Sequence, residues 1–176
     1  KGALLREEVY ELDVESLERG EQRRVKLLWA ASHGCHVERL QEQAINPHAV
    51  FLTTESEALV YAYELELGAA TLRPDPRVAH TLNLKLDEYG NVLQSVAAVY
   101  PRTGTFEDGS LSADDLARIR AVQQEMHLVY TENRYTNDDV DAADDHRVPR
   151  VCDVLTYELS GIEPASGDEE DPSPAA

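Results

Sequence analysis

A mainly β fold, an antiparallel sheet with long hairpins and one short helix, is what this 176-residue sequence predicts. Three observations carry that expectation. Apolar residues recur at every second position in several runs, which is the period of a strand with one sheltered face. A Gly-Asn pair separates two long β-prone runs in the manner of a hairpin turn. A single segment carries the start signals of a helix.

The elements follow in chain order. Leu4 to Leu12 has mixed spacing but contains Val9, Tyr10 and Leu12. Val25 to Ala31 is apolar and bounded by charge. Ala49 to Thr53 is a short β-prone run. Leu59 to Leu67 places Leu59, Tyr61, Tyr63, Leu65 and Leu67 on one face. The clearest unit is Arg77 to Arg102. Val78, His80, Leu82, Leu84 and Leu86 share one face of its first strand. Asp87 to Asn91 makes the turn, with Gly90 able to take a positive φ. Val92 to Tyr100 returns, with Val96, Ala98 and Tyr100 on one face and Leu93, Ala97 and Val99 on the other. Apolar residues on both faces imply that both sides are covered in the working protein.

The helix begins at Ser112, an N-cap with Asp115 three residues on in a capping-box position. Leu111 and Leu116 stand where a hydrophobic staple needs them, and the apolar stripe runs to about Met126. His127 to Tyr135 alternates again, with Leu128, Tyr130, Glu132 and Arg134 on one face. A polar loop spans Thr136 to His146, and Arg150 to Leu159 is the last strand. The pattern describes one β-rich domain over residues 3–162, then an acidic, Pro-rich tail over 163–176 that reads as disordered or as a linker. The chain opens Lys1-Gly2 without Met, which fits a segment of a longer product.

The net charge of −18 repels phosphate backbones and anionic lipid surfaces, so neither nucleic acid nor membrane is an expected partner. No apolar run approaches the roughly 20 residues of a membrane span. Two cysteines, Cys35 and Cys152, are too few for a disulfide framework, and whether they pair cannot be read from sequence.

Three clusters invite chemistry. His33-Gly34-Cys35-His36 holds three potential zinc ligands, but only the lone His48 follows nearby, so the stretch reads as a loop between two strands. Glu55-Ser56-Glu57 has the Glu-x-Glu form seen in ADP-ribosyltransferase toxins. At strand spacing the two carboxylates would share a face. The arginine strand and Ser-Thr-Ser strand of that fold are not placed here, and exposed turn carboxylates look the same. Asn137 to Asp145 is acidic enough to suggest calcium, but it lacks the central Gly of an EF-hand loop and reads as a solvated loop. No nucleophile elbow, phosphate loop or dinucleotide fingerprint occurs. No catalytic, cofactor-binding or metal-ligating residue is therefore assigned, and no cofactor is expected.

Several stretches, taken in order, carry a family resemblance. They are Leu4 to Asp13, Asn46 to Leu52, Asp75 to Leu84, Asp87 to Leu93, Tyr130 to Asn137 and Cys152 to Gly161. Together they resemble the middle, C-terminal-side region of the B component of insecticidal toxin complexes, a TcdB-like family related to the SpvB virulence proteins. Glu64 to Arg73 is longer than the usual connection, and the acidic tail has no counterpart. The resemblance implies a structural, non-catalytic segment of a β-sheet shell that encloses the toxic part of the C component. It implies contacts with other regions of the same parent chain and with the C component, with the A component reached through other domains. It also implies a secreted or extracellular toxin complex. The alternatives are a self-contained β module that binds protein or glycan and, further off, an ADP-ribosyltransferase.

Overall fold

The structure, a computed structural model, describes residues 3–12, 14–21, 26–63, 75–104, 107–138 and 147–162. Seven strands form one sheet: β1 (Arg6–Glu11), β2 (Lys26–Gln41), β3 (Val50–Ala62), β4 (Arg77–Leu86), β5 (Val92–Val99), β6 (His127–Tyr135) and β7 (Val151–Leu159). Each strand pairs antiparallel with its sequence neighbour, so the spatial order is the chain order, β1 to β7. Two helices accompany them, α1 (Val14–Glu18) and α2 (Ala113–Gln123).

The expected β4–β5 hairpin, β6, β7 and α2 all form where the alternation and capping signals place them. Asp87 organises the hairpin turn. Its Oδ1 accepts from the backbone N–H of Tyr89 (2.9 Å) and of Asn91 (2.8 Å), and its Oδ2 accepts from Asn91 Nδ2 (2.9 Å). Gly90 takes φ 81° there. Burial would raise the Asp87 carboxyl. The hydrogen bonds from Asn91, Tyr89 and Gly90 outweigh it and hold the group below the ordinary carboxylate value.

Two expectations change. His33 to His36 is not a loop. β2 runs on for ten residues beyond Ala31, and the two runs expected separately at Ala49 and Leu59 are one strand, β3. Polar residues interrupt the apolar pattern in both strands, but the partners compensate with a ladder from Trp29 opposite Ala62 to Gln41 opposite Val50 that shifts register twice, at Gly34/Cys35 and at Arg39/Gln41. The chain reverses at residues 42–49 instead. A second helix, α1, is a single five-residue turn, too short to show a 3.6-residue period. Leu65, Leu67, residues 139–146 and the acidic tail lie outside the described residues.

Register defines the two faces. One rung crosses all seven strands: Arg6, Ser32, Leu59, His80, Ala98, Leu128 and Leu159. Tyr61, Val78, Leu82, Val96, Tyr130 and Tyr157 flank it on the same side, which we call the tyrosine face. The opposite face carries Ala58, Val60, Ala79, Ala97, Val99, Val129 and Val154. Among the described residues the buried apolar side chains are only Ala30, Ala31, Ala98 and Leu128. Among the described residues, the close contacts between elements run between neighbouring strands. Val99 is 48% exposed, Val154 53% and Tyr157 48%. A sheet ordinarily buries at least one apolar face against another layer; among the described residues no second sheet supplies one.

At one end of the sheet a carboxylate clasps two loops. Asp75, just before β4, accepts from Arg102 Nε (2.9 Å), Thr103 N (3.0 Å), Thr103 Oγ1 (3.1 Å) and Gly104 N (3.0 Å). A Cβ on Gly104 would lie 2.7 Å from Asp75 Oδ2, so the loop passes too close for any side chain. Arg102 in turn donates its backbone N–H to Gln123 O (2.8 Å) and accepts from Gln124 Nε2 (3.1 Å), which anchors the end of α2.

Candidate functional site

Ionisable groups converge most densely where β2, β3 and β4 meet. The ladder between β2 and β3 shifts register between Gly34 and Cys35: Gly34 lies opposite Glu57, and Cys35 opposite Glu55. Ser56 is therefore an extra residue, a β-bulge. A bulge re-aims the side chains on either side of it. Glu55 turns to the alanine–valine face, where its Oε2 meets His33 Nδ1 at 2.7 Å. Glu57 stays on the tyrosine face, where its Oε2 lies 3.3 Å from His80 Nε2. The expectation that these carboxylates share a face is corrected, because the inserted residue shifts the two-residue alternation by one.

The surroundings are built for this bulge. An ideal Cβ on Gly34 would come within 2.7 Å of Glu57 Cγ and 2.9 Å of Ser56 Oγ. The bare glycine leaves room for the Glu57 side chain to lie against β2. Asn83 Nδ2 donates to the Glu55 carbonyl (2.9 Å), satisfying backbone that the bulge releases from the ladder. His80 Nδ1 lies 2.9 Å from the Tyr100 hydroxyl, and the two rings stack with centroids 6.0 Å apart. The His80 side chain is 12% exposed, whereas Glu57 is 44% and Glu55 45% exposed. The tyrosine face thus carries a Glu57–His80–Tyr100 chain of hydrogen bonds among apolar neighbours. Sequence reasoning missed it. Its one signal was a histidine at a sheltered position between Val78 and Leu82.

The arrangement limits the chemistry. Two carboxylates on opposite faces cannot flank one substrate, so the transferase reading of Glu55 and Glu57 loses its geometric basis. No group of three or more His, Cys, Asp or Glu side chains capable of holding a metal occurs among the described residues. Cys35 is half-buried on β2 and Cys152 exposed on β7, both as free thiols. Five strand spacings of roughly 4.8 Å separate their strands, well beyond disulfide reach. Asn137 and Asp138 begin the acidic loop, whose remainder lies outside the described residues. A cavity of about 350 Å³ opens at the end of the sheet beside α2, lined by Arg77, Val99, Tyr100, Val122 and His127 among others. Glu125 and Arg102 also line it, so its charges are mixed.

Comparison with known proteins gives one family. A family model described as the insecticide toxin TcdB middle/C-terminal region matches residues 1–146. No curated protein matches the chain. Among solved structures, the crystal structure of TcdB2-TccC3-Cdc42 aligns with a TM-score of 0.59 at 22% identity, covering 93% of this chain and 7% of that one. A Photorhabdus luminescens Tc holotoxin pore bearing a TccC3 mutation aligns at 0.57 and 23% identity, covering 89% and 7%. TcdB2-TccC3-TEV aligns at 0.56 and 22%, covering 93% and 7%. At these identities the likeness is one of fold, and the chain spans 7% of the length of each structure.

Proposed function

The chain belongs to the family of the insecticide toxin TcdB middle/C-terminal region, and from that premise we propose that it is a non-catalytic wall segment of a toxin-complex B component. In this reading it helps to form the β-sheet shell that encloses the toxic part of the C component. The partners are the rest of the same parent chain and the C component, and the assembly is secreted. Residues 3–162 form the wall unit.

One observation carries the reading: a seven-stranded sheet that, among the described residues, bears exposed apolar side chains on both faces with no second sheet over them. At roughly 25 cal/mol per Å² of apolar surface, side chains such as Val99, Val154 and Tyr157 gain their stabilisation only when something else covers them. A segment of a larger sheet-built body meets that need, while a self-contained module would supply its own second layer. The bulge that separates Glu55 from Glu57 supports the non-catalytic half of the reading.

The test places the double substitution Ala98→Asp and Leu128→Asp in the full B component. The two residues adjoin on the tyrosine face. The expected result is loss of protease protection of the co-expressed C component. Protection equal to wild type, with the variant folded by circular dichroism, would refute the proposal.

A further inference from the structure

We propose that the Ser56 bulge is a two-sided, proton-responsive hinge, in which protonation of His33 on one face and His80 on the other pins β3 in its bulged register. This rests on the chain's own geometry and not on the wall reading.

A strand can slip by one residue, and such a slip exchanges its faces. Without the bulge, Glu55 and Glu57 would stand side by side on one face, two like charges at strand spacing. With it, each carboxylate reaches its own histidine: Glu55 to His33 at 2.7 Å and Glu57 to His80 at 3.3 Å. A carboxylate only accepts, so the facing ring nitrogen carries the proton in either state of the imidazole. Taking up a second proton turns each hydrogen bond into an ion pair with charge on both partners. Imidazole is the side chain that changes charge in the physiological range.

The second nitrogen of His80 decides whether that uptake is tolerated. In the neutral ring Nδ1 accepts from the Tyr100 hydroxyl, 2.9 Å away. In the cation Nδ1 becomes a donor, and the hydroxyl rotates to accept from it. The network therefore loses no hydrogen bond on either side of the transition, although the His80 side chain is only 12% exposed. Other titratable groups facing these histidines are few. By register, His80 faces Glu57 and Tyr61 from β3 and Tyr100 from the β5 side, and Ser32 on β2 carries no charge. His33 faces Glu55 from β3 and Cys35 on its own strand, with Glu7 of β1 one step away. The Ser56 bulge is thus bracketed by one proton-binding pair per face, and each face reads the pH on its own side of the sheet.

The experiment is amide hydrogen exchange by NMR on the 176-residue chain at about pH 5.5 and about pH 7.5. Protection at residues 55–57 is corrected for intrinsic rates and normalised to Val96 and Tyr130, which face no histidine pair. The expected result is about threefold greater relative protection at the lower pH for each pair, the size of a partly exposed ion pair. His33→Gln and His80→Gln should each remove part of the rise, and the double variant should remove all of it. A flat ratio in wild type, or a rise that survives in the double variant, overturns the proposal. If the variants fail to fold, the wild-type carboxyl ¹³C shifts of Glu55 and Glu57 decide. An inflection at imidazole titration supports the hinge, and its absence overturns it.

Discussion

Asp75 is the place where a single substitution should cost most. Its carboxylate receives four hydrogen bonds, one of them from the Arg102 guanidinium, and both side chains are sheltered, 22% and 18% exposed. A hydrogen bond to a charged group contributes about 1.5–3 kcal/mol net and a neutral one about 1 kcal/mol. Thr103 is exposed, so water replaces the bonds from its N–H and hydroxyl at little cost. The Arg102 pair and the Gly104 N–H then dominate, and Asp75→Ala should destabilise the chain by about 2–3 kcal/mol. Asp75→Asn keeps the shape and one acceptor oxygen but turns an amide toward the donors. It should lose about 1–2 kcal/mol. The pH dependence has a defined sign. Burial would raise the Asp75 carboxyl, but the Gly104, Arg102 and Thr103 hydrogen bonds prevail and lower it. A carboxyl lowered in the folded state stabilises fully above its unfolded value, near 3.9. That stability is lost as the pH falls through the folded value. Urea unfolding followed by circular dichroism should show the wild-type advantage over Asp75→Asn at neutral pH and a shrinking one below about pH 3.9. An Asp75→Ala variant within about 0.5 kcal/mol of wild type, or a gap that ignores acid, would refute the clasp.

Three further outcomes are expected. Gly34→Ala should cost about 1–2 kcal/mol, because the new methyl meets Glu57 Cγ and Ser56 Oγ. Adding Glu57→Ala should recover part of that loss in a double-mutant cycle, and strictly additive values would count against the close approach. Ser112→Ala removes the N-cap that accepts from Asp115 N at 3.2 Å, so helical ellipticity should fall. The urea midpoint should move little, since among the described residues no strand makes a close backbone contact with α2. The Tyr89 hydroxyl donates to Asp138, and this bond, with some burial and the charge of Asp138, pushes its ionisation up to about 12. Asp138→Asn should bring that tyrosine back toward ordinary values in an ultraviolet titration, and an unchanged curve would disprove the contact.

Much of the fold was legible because its signals are local. In β4 and β5 the alternation and the Gly90 turn lie within one hairpin, and Ser112 with Asp115 marks a helix start within four residues. What escaped was set by partners distant in sequence. β2 continues through His33 to His36 because β3 supplies a ladder for it, and neither strand shows that continuity alone. The bulge was invisible for the same reason. Glu-x-Glu has ordinary strand spacing, and only the pairing of Gly34 with Glu57 and of Cys35 with Glu55 shows that Ser56 is extra. His80 and Tyr100 looked like members of an apolar stripe, since their hydrogen bond spans 20 residues.

The strictly consecutive strand order has a kinetic meaning. Each strand finds its partner in the strand just made, so no pairing waits for a distant segment, and the sheet has low contact order for an all-β chain. The ladder can lengthen one hairpin at a time as polypeptide becomes available, with every new strand templated by an edge already in place. A sheet of this kind can be laid down in the order of synthesis. The open edge, ordinarily an aggregation hazard, serves as the template for each strand in turn.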